Sequence, residues 1–156
     1  MPPSSTTHSQ SEPLIPSKLS AEHAEPLSYT TSTAIKVLSL VRIALGAATF
    51  IAPKWTCALF QFPIPVSASV LARLFGVREI ILGELLITAE DKGSPAGGRR
   101  ELRRTLLANL GADTVDICSV GFAVATGAMS RVAGALFVGA ALGLVGLELI
   151  GLRGLS

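Results

Sequence analysis

Four charged side chains interrupt an apolar stretch that is as long as a membrane-spanning helix. Arg73, Arg78, Glu79 and Glu84 lie in the sequence VLARLFGVREIILGELLITA, which begins at residue 70 and ends at residue 89. On insertion scales an unpaired charge at the bilayer centre costs about 2.5–3.5 kcal/mol, so these groups require partners within a helix bundle. The stretch therefore predicts a buried polar centre.

A second set of polar side chains occurs in a later apolar stretch. Asn109, Asp113 and Asp116 are four and three residues apart, a spacing that puts all three on one helical face. Counted from the same membrane surface, Asp113 and Arg78 both lie roughly 12 Å deep, and Asp116 lies near the level of Arg73. The depths predict the ion pairs Arg78–Asp113 and Arg73–Asp116, or the exchanged pairs if the helices are rotated differently.

Three other charged residues within apolar stretches are predicted to lie outside the polar centre or at its edge. Arg42 lies about two turns into the first stretch and needs a partner or water. Glu84 lies near the membrane surface, where Arg103 or Arg104 is a predicted partner. Glu148 lies about one turn from a helix end, where it reaches headgroup water or a basic loop residue.

Buried carboxyl groups beside guanidinium groups could carry out acid/base chemistry, because crowding favours a carboxyl group that holds a proton. The candidate catalytic residues are Glu79, Asp113, Asp116, Arg73 and Arg78, with Asn109, Arg42 and Glu84 in support. The arginines would stabilise an anion that develops on a substrate.

Other kinds of site are not predicted. Cys57 and Cys118 are isolated, His8 and His23 lack ligand spacing, and the sequence contains no nucleotide motif, so no metal or cofactor is expected. The net charge of +2, without a dense basic stripe, excludes a nucleic-acid surface.

Composition indicates the protein class. The chain has 156 residues, is 49% hydrophobic and only 15% charged, and has a mean hydropathy of +0.57. These values are typical of a membrane protein. We predict an all-α polytopic four-helix bundle after a disordered tail, residues 1–33, that is rich in Ser, Thr and Pro. The predicted spans cover about 34–52, 67–89, 105–129 and 132–152.

Small and aromatic residues predict how the spans pack. Gly76 and Gly83 would allow a neighbouring helix to approach, and Ala135, Gly139, Gly143 and Gly151 form a small-residue stripe on the last span. The segment PKWTCALFQFPIP, residues 53–65, carries three aromatic rings between prolines. It is interpreted as an interfacial turn, with a ligand-binding loop as the alternative.

Basic residues are concentrated on one side of the predicted topology. They are Lys36, Lys92, Arg99, Arg100, Arg103, Arg104 and Arg153, against Lys54 and Arg131 on the other side. By the positive-inside rule, both termini are expected in the cytosol.

The run Arg73-Leu74-Phe75-Gly76-Val77-Arg78-Glu79, followed by Gly83 and an Asp-bearing third helix, resembles a family of small four-span membrane proteins of fungi and bacteria that are DoxX-like. The resemblance covers roughly residues 34–152. It implies a membrane bundle with no agreed activity. It also suggests a biosynthetic role, since some fungal relatives accompany natural-product genes. Asp is commoner in the family at the position of Glu79.

Three functions are compatible with these patterns. The buried charges could fix helix register in a structural or accessory protein. Alternatively, they could catalyse acid/base chemistry of an isomerase, cyclase or hydrolase type on a lipophilic metabolite. A proton-coupled transporter is the third hypothesis. The expected partners are the lipid bilayer, a lipophilic small molecule, and a second copy or another membrane protein.

Overall fold

The computed structural model describes residues 28–89 and 98–155. Of these described residues 86% are helical, and none forms a strand. The α-helices are α1 (Tyr29–Ile51), α2 (Pro53–Leu59), α3 (Ser69–Thr88), α4 (Arg99–Ala125) and α5 (Arg131–Arg153). A short 3-10 turn, Val66–Ala68, leads into α3.

Local sequence explains several helix ends. Pro53 begins α2 immediately after α1, and this is a position where its missing N–H costs nothing. Ser130 caps α5 by accepting a hydrogen bond from the Ala133 N–H at 3.2 Å. Gly127 has a φ of 76°, which turns the chain between α4 and α5.

The four long helices alternate in direction. The start of α1 meets the end of α5, where Thr31 lies against Gly154. At this same end a cluster of buried aliphatic side chains joins α1, the end of α3 and the start of α4. It consists of Ile35, Leu38, Leu86, Leu102 and Leu106. The helices therefore form an antiparallel bundle with an apolar core at the end where α1 begins.

The closest helix approach is between α1 and α3, and it depends on glycine. A Cβ atom on Gly76 would lie 2.7 Å from the Gly46 carbonyl oxygen and 2.8 Å from the Phe50 nitrogen. A Cβ atom on Gly83 would lie 2.9 Å from the Ser39 carbonyl oxygen. Neither position has room for a side chain. The predicted close approach at Gly76 and Gly83 is confirmed, and its partner is α1.

By length and composition, three helices could cross a membrane, namely α1, α4 and α5. α3 has 20 residues, but it contains four charged side chains and is not identified as a span on composition. These helices indicate a membrane protein.

The structure differs from two predicted helix boundaries and from one packing prediction. The first helix begins at Tyr29, inside the stretch assigned to the tail, while residues 1–27 lie outside the described residues. The predicted third span starts at about residue 105, but the helix begins earlier, and the basic residues 99–104 form the first turns of α4. On α5, a Cβ atom added to Gly139 or Gly143 would meet no other helix within 4 Å among the described residues, so the predicted packing stripe faces away from the bundle there.

Replacing Gly76 tests the close approach of α1 and α3. Gly76→Ala forces a methyl group against the α1 backbone, and we expect it to lower the stability of the protein by about 1–3 kcal/mol. Gly139→Ala is the matched control, since its methyl group meets open space and Ala favours a helix by up to about 1 kcal/mol. Thermal unfolding in detergent measures both variants. Equal unfolding midpoints would show that the contact contributes nothing.

Candidate functional site

Arg42, near the middle of α1, is the centre of a buried ion cluster. Its Nη1 donates to Glu79 Oε2 at 2.6 Å, and its Nη2 donates to Asp113 Oδ2 at 2.8 Å and to Glu148 Oε1 at 2.7 Å. Glu79 lies on α3, Asp113 on α4 and Glu148 on α5. The side chain of Arg42 is fully buried, and those of its partners are at most 4% exposed. One guanidinium group therefore joins all four long helices.

A second arginine extends the cluster toward a more open region. Arg78 donates from Nη2 to Glu79 Oε1 at 2.9 Å, and it pairs with both oxygens of Asp116, with Nη1 lying 3.0 Å from Oδ1. Its guanidinium group also lies over the Phe75 ring, 4.7 Å from the ring centre. The Arg78 and Asp116 side chains are 35% and 30% exposed. Glu79 connects this half of the cluster to Arg42.

The cluster contains more acidic groups than basic ones. Its carboxyl groups are those of Glu79, Asp113, Asp116 and Glu148, and its guanidinium groups are those of Arg42 and Arg78. If all were ionised, the cluster would carry a formal charge of −2. Two carboxyl oxygens accept no hydrogen bond from the described residues, namely Glu148 Oε2, which is buried, and Asp113 Oδ1. The cluster thus has capacity to accept further hydrogen bonds.

A cavity of about 510 Å³ begins at this cluster. Glu79, Asp113 and Asp116 line its inner end, and its walls are largely aliphatic and aromatic side chains of α1, α3, α4 and α5. Its volume lies within the range of about 300–1,000 Å³ that is typical of small-molecule sites. The cavity combines apolar walls with a few convergent polar groups.

Aromatic rings line the other end of the cavity. Phe60 stacks on Phe137 of α5 with ring centres 4.6 Å apart, and Phe62 meets the same ring edge-on at 6.4 Å. Gln61, between the two phenylalanines, has a φ of 55°, a turn that few non-glycine residues adopt. Of the three aromatic residues in the segment 53–65, Trp55 is the exposed one, with 62% of its surface accessible, as expected for an interfacial anchor. The segment after α2 therefore packs against the bundle as well as lying at its surface.

The hydroxyl groups that line the cavity already donate hydrogen bonds within their own helices. Thr49, Thr56 and Ser119 each donate to a carbonyl four residues earlier in the chain, at 2.8, 3.1 and 2.7 Å. Their oxygens keep lone pairs that can accept. Apart from the carboxyl groups, the remaining polar side chain of the lining is that of Cys57, whose thiol is a weak donor. Burial raises the pKa of this thiol, so it stays protonated. Among the described residues, the lining consequently offers mainly acceptors.

The structure brings together four of the five candidate catalytic residues, and it forms only one of the pairs that were considered. Asp116 pairs with Arg78 rather than Arg73, and Asp113 pairs with Arg42 rather than Arg78. Arg73 is exposed and forms no ion pair with the described residues. Of the exchanged pairs, Arg78–Asp116 is therefore observed and Arg73–Asp113 is not. The first-named pairs, Arg78–Asp113 and Arg73–Asp116, do not form because α3 is rotated so that Glu79 faces α1.

The supporting residues also differ from expectation. Glu84 is exposed, and its predicted partner Arg104 pairs instead with Glu101 at 3.2 Å. Asn109 is fully buried and donates to the Thr105 carbonyl at 2.8 Å, outside the ion cluster. Arg42 is central rather than supporting.

Glu148 is the site residue that sequence reasoning missed. Its predicted partner is headgroup water or a basic loop residue, but it is fully buried against Arg42 of α1. The available signal was a single carboxylate in an otherwise apolar helix. No group of His, Cys, Asp and Glu side chains within residues 28–89 and 98–155 is arranged to hold a metal ion. His8 and His23 lie outside those ranges.

Removing Arg42 should be far more damaging than removing Arg73. Arg42→Met leaves three buried carboxylates without their shared partner, so we expect a loss of stability of about 3–5 kcal/mol. Arg73→Met is the matched control, and we expect it to change stability by at most about 0.5 kcal/mol because Arg73 is exposed. Thermal unfolding in detergent distinguishes the two variants.

Neutralising the carboxylates provides the complementary test. We expect Glu79→Gln, Asp113→Asn and Glu148→Gln, introduced together with Arg42→Met, to recover part of the lost stability. If the combined variant is no more stable than Arg42→Met alone, unpaired charge is not the cause of the loss.

Comparison with known proteins provides no assignment for this arrangement. No family model matches the chain, and no curated protein or solved structure is significantly similar to it. The function is therefore inferred from the geometry of the cluster and the cavity.

Proposed function

We propose that this chain is a four-span membrane protein that binds a lipophilic small molecule inside its helix bundle. The single observation that carries the proposal is the 510 Å³ cavity with apolar walls and three carboxyl-bearing residues at its inner end. Apolar walls suit the body of a lipophilic molecule, and the carboxyl groups suit its polar end. In this proposal Asp113 and Asp116 contact the ligand.

The proposal includes α3 as the fourth span. Its 20 residues are about 30 Å long, which is the thickness of a hydrocarbon core. Arg78 and Glu79 are paired within the bundle, which removes most of the cost of placing them in lipid. Antiparallel contact with α1 along most of its length supports the same placement.

Charge at the helix ends supports a cytosolic location for both termini. The start of α1 and the end of α5 lie at one end of the bundle. The basic residues of the described chain at that end are Lys36, Arg99, Arg100, Arg103, Arg104 and Arg153. Lys54, Arg73 and Arg131 belong to the opposite end. The positive-inside rule then places the cavity in the half of the membrane farther from the cytosol.

In this proposal Arg42 has the structural role of fixing helix register. Its partners Glu79, Asp113 and Glu148 are fully or almost fully buried, as expected of groups that fix helix packing. Asp116 is different, because it is partly exposed and lines the cavity. A structural group and a ligand-facing group can thus coexist in one cluster.

Filling the cavity should abolish binding without unfolding the protein. Ala141 lines the cavity, so Ala141→Phe places a ring in the volume that the ligand would occupy. Ala135→Phe is the matched control on the same helix, at an exposed position away from the cavity. We expect mass spectrometry of solvent extracts to find a lipophilic molecule that co-purifies with the wild-type and Ala135→Phe proteins but not with Ala141→Phe. Identical extracts from all three proteins would contradict the proposal.

Acid/base catalysis on the bound molecule is the second candidate function. The observation that favours it is the presence of two carboxyl groups with different partners at the same end of the cavity. Asp116 is held by both Nη atoms of Arg78, which suits a base held in a fixed orientation. Asp113 has one oxygen without a partner among the described residues, which suits a proton donor. An isomerase, cyclase or hydrolase reaction would be compatible with this pair.

Metabolite profiling tests the second candidate. Asp116→Asn keeps the shape of the side chain but removes the base, so we expect one lipophilic precursor to accumulate in the host while the protein stays abundant in the membrane. Glu84→Gln is the control, because Glu84 is an exposed carboxylate on α3 outside the cavity. Profiles of Asp116→Asn that match the wild type would exclude Asp116 as a catalytic residue.

A further inference from the structure

We propose that the ligand of the cavity is a lipophilic amine whose ammonium group lies against Asp113 and Asp116. This inference rests on the proposed binding function and specifies its ligand class. It follows from three properties of the described residues, namely the hydrogen-bond character of the lining, the charge of the cluster and the position of the unpartnered oxygen.

The lining lacks strong hydrogen-bond donors among the described residues. The three hydroxyl groups donate to their own helices, and Glu79 accepts from both arginines. The Nη atoms of Arg42 and Arg78 donate within the cluster. The Nε atom of each arginine is buried without a partner among the described residues, and neither residue lines the cavity. A ligand with a carboxylate or phosphate would therefore find no donor there, whereas a group with several N–H donors would find suitable acceptors.

Charge favours the same ligand class. Four carboxyl groups share two guanidinium groups, which leaves two acidic groups without a basic counterpart in the cluster. Inside a membrane an uncompensated charge is costly, so a cation that enters the cavity is attracted to these groups. An ammonium group provides both the positive charge and the donors.

The unpartnered oxygen indicates where the ammonium group would bind. Asp113 is 3% exposed and lines the cavity; its Oδ2 is bound to Arg42, while Oδ1 accepts nothing from the described residues. Asp116 lies one helical turn further along α4 and lines the same cavity. An ammonium group between them would donate to Asp113 Oδ1 and to an Asp116 oxygen. Its hydrocarbon part would then extend toward Phe60, Phe62 and Phe137.

Cys57 allows occupancy of the cavity to be measured directly. The chain has only two cysteines, and Cys118 is exposed on α4, so Cys118→Ser leaves Cys57 as the single thiol at an otherwise undisturbed site. Cys57 lines the cavity, so a molecule bound there should slow its reaction with an uncharged maleimide. Cys57→Ser, which keeps Cys118, reports any general effect of the added molecules on the membrane environment.

The experiment compares three probes with the same hydrocarbon chain in purified protein reconstituted into lipid nanodiscs. The probes are dodecylamine, dodecanol and dodecanoic acid at neutral pH. We expect dodecylamine to slow labelling of Cys57 at concentrations about tenfold lower than dodecanol, because charge-assisted hydrogen bonds are the stronger ones. We expect dodecanoic acid to protect least, and none of the probes to protect Cys118.

The outcomes separate this inference from the function on which it rests. If dodecanol or dodecanoic acid protects Cys57 as well as dodecylamine does, the cavity binds lipophilic molecules but the amine inference is wrong. If none of the probes protects Cys57, both the inference and the proposed binding function are overturned. The comparison uses no substitution in the cluster, so it does not depend on the folding of a cluster variant.

Substitution at Asp113 adds a second readout. In the Cys118→Ser background, Asp113→Asn should reduce protection by dodecylamine about tenfold and leave protection by dodecanol unchanged. An equal loss for both probes would assign Asp113 to the packing of the cavity and contradict its role as the ammonium partner.

Discussion

The fold depends on one arginine that three other helices must share. Arg42 crosses from α1 into the centre of the bundle, where its planar guanidinium group reaches carboxylates of α3, α4 and α5 at 2.6–2.8 Å. Only Arg presents several donors in a rigid plane, so a single side chain can fix the rotation of three neighbouring helices. Separating any of them would expose an unpaired charge to hydrocarbon. The cluster is therefore a strong constraint on helix register, although buried ion pairs do not in general increase stability.

Glycine makes this arrangement possible on one side of the bundle. Gly83 leaves room for the stem of Arg42, because a Cβ atom on Gly83 would lie 3.3 Å from Arg42 Cβ. Gly46 and Gly76 bring α1 and α3 together at the next turns, and Glu79 can then reach Arg42 from α3. α3 approaches α4 much less closely, and the cavity lies beside this gap, with side chains of α1 and α5 completing its walls. Close packing on one side and a gap on the other result from the same placement of α3.

The sequence predicts the elements of this arrangement better than it predicts their pairing. Helical content, apolar spans and a polar centre follow from composition and from spacing within one helix. Pairing depends on how each helix is rotated about its axis, which is decided by contacts between helices. Arg73 and Glu79 illustrate this limit: at 100° per residue they point about 120° apart, so turning Glu79 toward α1 leaves Arg73 at the surface. Counting depth along the helices could not detect this rotation.

The roles of Arg42 and Glu148 were underestimated for a related reason. Arg42 is the only charged residue of α1 besides Lys36, and Glu148 is the only charged residue of α5 between its terminal arginines. An isolated charge of this kind can be explained locally by water or by snorkelling. Their importance emerges only when both are seen to face the same point as Asp113. Two isolated charges of opposite sign in separate spans are therefore better interpreted together, as partners, than individually.

The lining of the cavity argues against a purely structural role for the whole cluster. Ala68, Ala72, Ala140 and Ala141 line it, although larger apolar side chains at these positions would improve packing. Aspartates at the inner end likewise do not increase the stability of the protein by facing an apolar cavity. Buried ion pairs can often be replaced by well-packed hydrophobic residues without loss of stability. Small side chains, an oxygen of Asp113 without a partner among the described residues and an excess of acidic groups all occur at the same place. A ligand that fills the volume and donates hydrogen bonds accounts for all three features, whereas a scaffold accounts only for the fully buried half around Arg42.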